Sequence, residues 1–578
     1  MLVSEAVGST LAGLGADTMF GVIGSGNFHV TNALISNGVR FIAARHEGGA
    51  VCMADGWART TGRPGLVTVH QGPGLTNAMT GITEAAKSRT PLLVLAADVA
   101  GAAVQSNFRI DASGLVASVG AVPERLYSPG SAVADTVRAF RTAVAQRRTV
   151  VLSMPLDVQA AECAPPSAAG ESDRSRPGSA AQPLGAPGLR GPGQGAGAVD
   201  VAGMSPQAVA PNPDAAMALA TCLMRAKRPV FVAGRGARIA RARRDLERLA
   251  DACGALLATS AVAKGLFRSS PWDLDVSGSF ASPLSSELIR DADVIVGWGC
   301  SLNMWTMRHG TLIGPEATVA QVDDDLAAIG AHRPVDLGVV GDVAETARTV
   351  LAGLGRGTNH GYRTDAVRER IGQESRWAEV PFKDETGDGR IDPRTLTMAL
   401  DRMLPAERTV SVDSGNFMGY PAMYLSVPDE DGFCFTQAFQ SVGLGLASAI
   451  GAALARPDRL AVAALGDGGA LMGISELETV VRLGLPMVIV VYDDEAYGAE
   501  VHHFRPAGHP VDTVQFPPAD IARIASGFGC AGIQVHDTDD LSAVQEWLAG
   551  PRDRPVLIDA KVTSSHGAWW LEEAFRGH

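Results

Sequence analysis

Short apolar runs, rich in β-branched residues, alternate with Ala- and Leu-rich helical stretches along most of this chain. They occur in three blocks of four runs each. The runs are Arg40–Ala44, Gly65–Val69, Leu92–Ala96 and Thr149–Ser153, then Pro229–Ala233, Ala255–Thr259, Val294–Trp298 and Val319–Val322, then Val410–Val412, Leu460–Leu465, Met487–Tyr492 and Val556–Ile558. Continuous apolar runs suit strands that are buried on both faces of a parallel sheet. The pattern therefore predicts an α/β fold with three doubly wound parallel-sheet domains.

Two segments interrupt this alternation. One is dominated by Ala, Gly, Pro and Ser and cannot bury a core, so it is predicted to be a linker. The other is polar and charged and is predicted to hold a helix and a loop. The resulting boundaries are 1–163 for an N-terminal domain, 164–213 for the first linker, 214–355 for a central domain, 356–390 for the second linker, 391–566 for a C-terminal domain and 567–578 for a tail.

Charge and cysteine content exclude several classes of protein. The chain has 49 Lys and Arg against 62 Asp and Glu, a net charge of −13, whereas nucleic-acid binding needs a basic surface. Its seven cysteines include no Cys-x-x-Cys pair, which argues against a zinc site or a disulfide framework and favours a reducing cytoplasm. Its most apolar stretches, such as Val442–Ala455, are shorter than the roughly 18 residues of a membrane span. We expect a cytoplasmic protein without nucleic-acid or membrane partners.

The strongest chemical signal lies in the third block. The strand Leu460–Leu465 runs into Gly466-Asp467-Gly468-Gly469, and the strand Met487–Tyr492 ends at Asp493-Asp494. Ligands of open parallel sheets bind at the carboxyl ends of the strands. Mg²⁺ is typically held by one or two carboxylates together with phosphate oxygens. The pair predicts a diphosphate bound through a metal ion, although Gly-Asp-Gly alone is also an ordinary turn.

Four motifs together resemble the signature of thiamine diphosphate-dependent enzymes, and the closest branch is that of acetolactate synthase and its decarboxylase relatives. The motifs are Gly466-Asp467-Gly468 followed by Asp493-Asp494 and Tyr497-Gly498, then Arg45-His46-Glu47 before a helix, Gly72-Pro73-Gly74-Leu75-Thr76-Asn77, and Phe20-Gly21-Val22-Ile23-Gly24-Ser25. The resemblance spans all three blocks. It implies an N-terminal pyrimidine-binding domain, a central domain and a C-terminal diphosphate-binding domain.

The resemblance also implies roles for individual residues. Glu47 would be catalytic, by hydrogen bonding to the aminopyrimidine ring and promoting its imino form. Asp467, Asp494 and the main-chain carbonyl of Ala496 would bind Mg²⁺. Further cofactor contacts would come from Gly72, Pro73, Gly74, Asn77, Gly415, Asn416, Val442, Gly466, Gly468, Gly469, Tyr497 and Gly498. Val442 would support the folded cofactor, or else would simply pack in a helix.

On the substrate side, His70 resembles the catalytic histidine of benzoylformate decarboxylase and would move protons near neutral pH. The alternative is a histidine at a strand end that bonds only to backbone. The remaining candidates are Ser25, His29, His502 and His503. The last two also suit a plain surface loop. Phe108-Arg109-Ile110 departs from the Phe-Gln-Glu element of acetolactate synthases, although Gln105 is near.

The implied activity is decarboxylation of a 2-oxo acid with transfer of the acyl-carbanion equivalent to a carbonyl acceptor. The alternatives are an aldehyde-forming decarboxylase, a lyase or hydrolase that cleaves C–C bonds without decarboxylation, and a ligand-binding paralogue without activity. The family's site lies between two chains, which implies a homodimer at minimum and a homotetramer in full. Gly234-Arg235-Gly236 in the central block is compatible with FAD, which some relatives bind, but FAD is not predicted.

Overall fold

The computed structural model describes residues 1–164, 208–355 and 359–574. Most of the predicted linker at 164–213 lies outside these residues, as do 356–358 of the second linker and 575–578 of the tail. The chain divides into two compact units. The first consists of Met1–Ala54 and Pro64–Pro206, and the second of Asp55–Arg63 and Gln207–His578.

Three six-stranded sheets form the framework, and the strand pairs within them are parallel. The first contains β1 (Thr18–Gly21), β2 (Arg40–Ala43), β3 (Gly65–Val69), β4 (Leu92–Asp98), β5 (Val122–Arg125) and β6 (Thr149–Pro155). The second contains β7 (Pro229–Ala233), β8 (Leu256–Thr259), β9 (Asp273–Val276), β10 (Val294–Trp298), β11 (Thr318–Asp323) and β12 (Leu337–Val340). The third contains β13 (Arg408–Val412), β14 (Phe433–Phe435), β15 (Leu460–Gly466), β16 (Met487–Asp493), β17 (Ala531–Val535) and β18 (Val556–Lys561). The predicted α/β fold with three parallel sheets is confirmed.

In each sheet, the strand that comes first in the chain (β1, β7 or β13) has later strands on both sides. The strand orders are β2-β1-β3-β4-β6-β5 in the first sheet, β12-β11-β10-β7-β8-β9 in the second and β14-β13-β15-β16-β18-β17 in the third. Each predicted run overlaps a strand. No predicted run overlaps the other six strands: β1, which has only four residues and lies inside its sheet, and β5, β9, β12, β14 and β17, which all lie at an end of their sheet. An edge strand is short and partly exposed, so it lacks the continuous apolar run by which the buried strands were found.

Helices connect the strands, and the part of the chain that forms each sheet with its helices is called the first-, second- or third-sheet segment. The helices of the first segment are α1 (Val3–Gly13), α2 (Phe28–Ser36), α3 (Glu47–Thr61), α4 (Pro73–Lys87), α5 (Ala112–Ser118), α6 (Ala132–Ala145) and α7 (Leu156–Gln159). Those of the second segment are α8 (Pro213–Arg225), α9 (Arg235–Ile239), α10 (Arg243–Cys253), α11 (Pro283–Arg290), α12 (Met304–Met307), α13 (Val343–Gly353) and α14 (Asp365–Glu374). Those of the third are α15 (Pro393–Met403), α16 (Gly419–Tyr424), α17 (Gly445–Ala455), α18 (Asp467–Met472), α19 (Glu476–Arg482), α20 (Gly498–Phe504), α21 (Ile521–Phe528), α22 (Ser542–Ala549) and α23 (Trp569–Ala574).

Local sequence explains where these elements begin. The side chain of Asn212 accepts hydrogen bonds from the backbone N–H groups of Asp214 and Ala215, and Pro213 occupies the first position of α8, where no N–H is needed. Asp342 caps α13 in the same way. Strand β16 is buried along its whole length, as its continuous run of apolar residues predicts.

The C-terminal segment packs inside the second unit. Trp570 is only 1% exposed, and its ring lies 4.9 Å from that of Tyr420 and 6.1 Å from that of Phe280. Trp569 carries the guanidinium of Arg308 over its ring at 4.4 Å. These contacts join the third-sheet segment to the loops of the second sheet. Over the part of the chain that is described, no helix is both long and apolar enough to cross a membrane.

Candidate active site

Three neighbouring strands of the third sheet, β13, β15 and β16, end at one cavity of about 350 Å³. Parallel strands align their carboxyl ends, so turns that are far apart in sequence meet there. Every residue predicted to contact the cofactor from this half of the chain lines the cavity: Gly415, Asn416, Val442, Gly466, Asp467, Gly468, Gly469, Asp494, Ala496, Tyr497 and Gly498.

The glycines of this cavity leave no room for side chains. A Cβ on Gly468 would lie 2.7 Å from the Tyr497 ring, and one on Gly466 would lie 3.2 Å from the Phe417 ring. A Cβ on Gly498 would collide with the Asp494 carboxylate. The bare backbone therefore forms the surface on both sides of the two acidic turns, where an anion can approach main-chain N–H groups.

The surroundings of the two carboxylates at the cavity disfavour their ionised forms. Burial, reinforced by the charge of Asp494 and then of Asp493, raises the pKa of Asp467 to about 8. Burial and the charge of Asp493 raise the pKa of Asp494 to about 7. Carboxylates whose ionised forms are disfavoured to this degree require a cation to remain ionised together at neutral pH.

A buried ion pair supports the turn that carries Asp494. Lys561 donates to Asp493 and also to the carbonyl of Ala519 at 2.8 Å. Asp493 in turn accepts a hydrogen bond from the backbone N–H of Glu495 at 3.0 Å. Glu495 adopts the left-handed conformation at φ 57°, and its carboxylate pairs with Arg390 at 2.6 Å. The charge of Asp493 is thereby neutralised by Lys561, whereas Asp467 and Asp494 face the cavity.

The residues present fit Mg²⁺ and a diphosphate. Two carboxylates and a main-chain carbonyl are hard oxygen donors, and the phosphate oxygens complete the set that Mg²⁺ prefers. Within the described part of the chain, the buried carboxamide oxygen of Asn416 has no hydrogen-bond partner at the same cavity, as expected of a group that binds a ligand. Among the described residues, no cluster of three or more His, Cys, Asp or Glu forms a metal site, so an all-protein metal cage is not seen there.

The first unit holds a second group of the predicted residues. Glu47 begins α3, and its carboxylate accepts a hydrogen bond from the side-chain amide of Asn77 at 3.0 Å. A Cβ on Gly74 would lie 3.6 Å from the Glu47 carboxylate and 3.1 Å from Cβ of His70. The turn after β3 and the start of α3 thus meet, although Glu47 and Asn77 are 30 residues apart.

His70 lies beside this pair and contacts three further residues. Its Nδ1 is 2.9 Å from the carbonyl oxygen of Gln71, and its Nε2 is 3.3 Å from Oγ of Ser25. Because a carbonyl can only accept, Nδ1 carries the proton and a neutral His70 accepts from the Ser25 hydroxyl through Nε2. The Phe108 ring meets the imidazole edge-on at 5.2 Å. His70 therefore makes the backbone hydrogen bond that the alternative interpretation predicts, and it also has a side-chain partner, Ser25.

Three of the predicted substrate residues are not brought into these groups. His29 is exposed on α2, where its ring meets that of Phe28 at 6.0 Å. His502 and His503 lie on α20 beyond the last residue of that helix that lines the cavity, Glu500. Burial lowers the pKa of His502. Their roles as substrate contacts stay predictions.

The Gly-x-Gly motif of the central block has a packing explanation. A Cβ on Gly236 would lie 2.6 Å from Cα of Gly299, and one on Gly234 would collide with the carbonyl oxygen of Gly299. The backbone N–H of Gly236 donates to that carbonyl at 2.9 Å. The loop after β10 therefore fills the space at this turn, and close backbone contact accounts for both glycines.

Comparison with known families agrees with this geometry. Three models of thiamine pyrophosphate enzymes match the chain: the N-terminal TPP binding domain at residues 1–113, the central domain at 216–350 and the C-terminal TPP binding domain at 413–560. The chain belongs to the thiamine pyrophosphate enzyme family. The resemblance predicted from the four motifs is thereby confirmed.

Several relatives within the thiamine pyrophosphate enzymes align over nearly the whole chain. The acetolactate synthase isozyme 3 large subunit of Escherichia coli is 27% identical, over 98% of this chain and 96% of its own. A sulfoacetaldehyde acetyltransferase of Rhodobacter capsulatus is 28% identical, over 99% and 96%. A probable 2-ketoarginine decarboxylase of Pseudomonas aeruginosa is 28% identical, over 94% and 90%. The names of these relatives cover both transfer and decarboxylation.

The structure of this thiamine pyrophosphate enzyme adds cavity residues that the sequence did not predict. Met304 and Trp305 lie on the short helix α12 after β10, and Leu571 lies on the C-terminal helix α23. No motif marks any of them. Asp413 directly follows β13, two residues before Gly415, and the sequence analysis assigned it no role. A buried acid at the end of a strand is the signal that would have found it.

Proposed function

We propose that this protein is a thiamine diphosphate- and Mg²⁺-dependent enzyme that decarboxylates a 2-oxo acid and transfers the acyl group to a carbonyl acceptor. The observation that carries the proposal is the pair Asp467 and Asp494, two carboxylates whose pKa values are raised to about 8 and 7, in a cavity lined partly by glycine backbone. Family membership supports the cofactor, and the names of the aligned transferases support the transfer.

The residues of the second unit would bind and orient the cofactor. Asp467, Asp494 and the carbonyl of Ala496 would hold Mg²⁺, and the N–H groups of Gly468 and Gly469 would face the diphosphate. Val442 would support the rings from below. When bound, thiamine diphosphate supplies a carbon nucleophile for the ketone and a sink for the electron pair that decarboxylation releases.

Glu47 would hold the proton that activates the cofactor. Its carboxylate is oriented by the Asn77 amide, which leaves the other oxygen for the aminopyrimidine. We expect Glu47→Gln to lower kcat by about 10²- to 10⁴-fold, the usual contribution of a general acid–base group, with nearly unchanged cofactor affinity. The surface variant Glu287→Gln, which alters an exposed ion pair with Arg370, serves as the matched control. Unchanged turnover in Glu47→Gln would overturn the mechanism.

The reaction itself is tested by CO₂ release and product identification. The protein loaded with thiamine diphosphate and Mg²⁺ is supplied with pyruvate and, separately, with benzoylformate, each with and without an acceptor aldehyde. We expect CO₂ together with a carboligated product. Cofactor binding without CO₂ from either acid would contradict the proposal for these substrates and favour cleavage without decarboxylation or a binding-only paralogue.

An aldehyde-forming decarboxylase is the second candidate, and one observation favours it. With its proton on Nδ1, neutral His70 exchanges protons through Nε2 and the Ser25 hydroxyl, which suits protonation of a carbanion by a relay. Free aldehyde in the assay above would support this reaction. His70→Asn should then shift the remaining product toward carboligation, whereas an unchanged product ratio would remove His70 from that role.

We also propose a homodimer at minimum, with a tetramer as the full assembly. Exposed apolar side chains lie at and near the cavity of the second unit: Val442 and Tyr497 line it and are 36% and 37% exposed, and Leu471 and Met472 on α18 are 41% and 57% exposed. Apolar surface concentrated around a cavity is typical of a protein interface. Light scattering of the active protein tests this, and a fully active monomer would contradict it. The free state of all seven cysteines supports a reducing cytoplasmic location.

A further inference from the structure

Asp413 is a fully buried acid directly before Ser414, the first residue after β13 that lines the cavity, and the binding roles above do not use it. We propose that Asp413 is a positioning residue whose carboxylate holds three turns of the cavity together: Ser414–Asn416, Val442–Leu444 and Gly466–Gly469. The inference rests on the proposed function, because it assigns a cofactor-affinity role to a residue that does not face the cofactor.

Two of these turns are held by hydrogen bonds. Oδ1 of Asp413 accepts from the backbone N–H of Ser414 at 2.9 Å and of Leu444 at 3.2 Å. The N–H of Gly443 lies 3.0 Å from Oδ2 and 3.2 Å from Oδ1. Hydrogen bonds to an ionised acceptor are stronger than neutral ones. Asp413 thus fixes the residue that follows Val442 and the residue that precedes Gly415.

The third turn is held by packing. A Cβ on Gly469 would collide with Oδ2 of Asp413, and one on Gly445 would lie 2.5 Å from Cβ of Asp413. The carboxylate therefore occupies space that only glycine at both positions leaves open. The same imagined Cβ on Gly469 would lie 3.3 Å from Cγ1 of Val442, so the Gly469 and Val442 turns are also in contact with each other.

Backbone groups alone hold this acid in place. Among the described residues, no cationic side chain forms an ion pair with Asp413, and the groups that stabilise its charge are backbone N–H groups. Asn at this position preserves the shape but places an NH₂ group where Oδ2 now accepts from Gly443. Two donors would then face each other, and the turn carrying Val442 would move away.

The test compares Asp413→Asn with Asp342→Asn in the full-length protein. Asp342 is a matched control because it also accepts two backbone N–H bonds, at 2.9 and 3.0 Å, but caps α13 in the second-sheet segment and does not line the cavity. For each protein we would measure thermal unfolding without cofactor, the Kd for thiamine diphosphate at saturating Mg²⁺ by calorimetry, and the split between kcat and the cofactor KM.

We expect Asp413→Asn to raise the Kd for thiamine diphosphate by about 10- to 100-fold, as expected for the loss of one or two charge-assisted bonds to the cavity wall. Asp342→Asn should leave the Kd within about twofold of the wild-type value, even if its unfolding midpoint falls by as much as that of Asp413→Asn. A folded Asp413→Asn with unchanged Kd would overturn the inference. Wild-type protein that binds no thiamine diphosphate would instead overturn the proposed function, and this inference with it.

Hydrogen exchange of the wild-type protein provides a test that does not depend on the variant folding. The amides of Gly443 and Leu444 bond to Asp413 rather than to a backbone carbonyl, so they should exchange slowly in the cofactor-free protein. Mass spectrometry of a peptide that covers 440–446 measures this. Fast exchange at both amides would contradict the anchoring by Asp413, whatever the variant does.

Discussion

The second and third sheets both place glycines directly after a parallel strand, and the two turns serve different ends. At Gly234 and Gly236, another backbone segment occupies the space that the missing side chains leave. At Gly466, Gly468 and Gly469, the side chains of Phe417, Tyr497 and Asp413 occupy that space, and the glycine backbone lines a cavity of about 350 Å³ beside two acids with raised pKa values. A glycine motif at a strand end is therefore ambiguous, and the occupant of the freed space decides its meaning.

The largest expected effect comes from removing the acid that most distinguishes the third-sheet turn. Asp467→Ala deletes a proposed Mg²⁺ ligand, and we expect at least about a 100-fold loss of activity and of Mg²⁺-dependent cofactor affinity. Calorimetry with thiamine diphosphate, with and without Mg²⁺, measures it. Asp275→Asn, which alters a partly buried acid paired with Lys264 in the second-sheet segment, is the control for losing a carboxylate away from the cavity. If Asp467→Ala kept the wild-type Mg²⁺ dependence, the proposal that this turn binds the metal would be wrong.

A smaller effect should separate the two glycine turns by the property that changes. In Gly236→Ala the new Cβ meets Gly299 Cα at 2.6 Å, and backbone cannot easily yield, so we expect a loss of about 1–3 kcal/mol in unfolding free energy. Its cofactor Kd should stay the same. In Gly468→Ala the Cβ meets the partly exposed ring of Tyr497, which can move. That variant should keep its stability and lose cofactor affinity.

Denaturant unfolding and calorimetry on both glycine variants provide the measurement. The comparison of the two turns predicts opposite results: one variant changes stability alone, and the other changes cofactor affinity alone. A weaker cofactor affinity in Gly236→Ala would mean that the second-sheet turn also serves the site. An unchanged affinity in Gly468→Ala would mean that the backbone of the third-sheet turn does not approach the diphosphate.

The same contrast explains how far the sequence could be interpreted. Asp467 and Asp494 were predicted because strand ends align in a parallel sheet, and Asn416 was predicted from the family resemblance. Met304 and Leu571 reach the cavity from the short helices α12 and α23, and no sequence pattern indicates which cavity such a helix packs against. The meaning of Gly234 and Gly236 required the position of Gly299, which lies about 60 residues away and is set by the register of β10 beside β7.

The smallest expected effect is a change in pH dependence, and its sign follows from the two acids. In the cofactor-free fold the pKa of Asp467 is about 8 and that of Asp494 about 7, both above the value of roughly 4 for an unfolded Asp. The folded state therefore binds more protons between pH 4 and 8, and its stability falls as pH rises through that window. Mg²⁺ needs the deprotonated acids, so the midpoint gained by adding Mg²⁺ and thiamine diphosphate should be larger at pH 8.5 than at pH 6.

Asp494→Asn turns this expectation into a comparison within the site. The amide keeps an oxygen for the metal but cannot ionise, and it removes the charge that helps raise the pKa of Asp467. We expect the cofactor Kd at pH 8 to stay within about tenfold of wild type, while the difference in midpoint gain between pH 6 and 8.5 shrinks. Thermal unfolding at both pH values measures it. A variant with the full wild-type pH dependence would show that groups other than Asp467 and Asp494 titrate. Negative charge would then not be the property that distinguishes the third-sheet turn from the second-sheet turn.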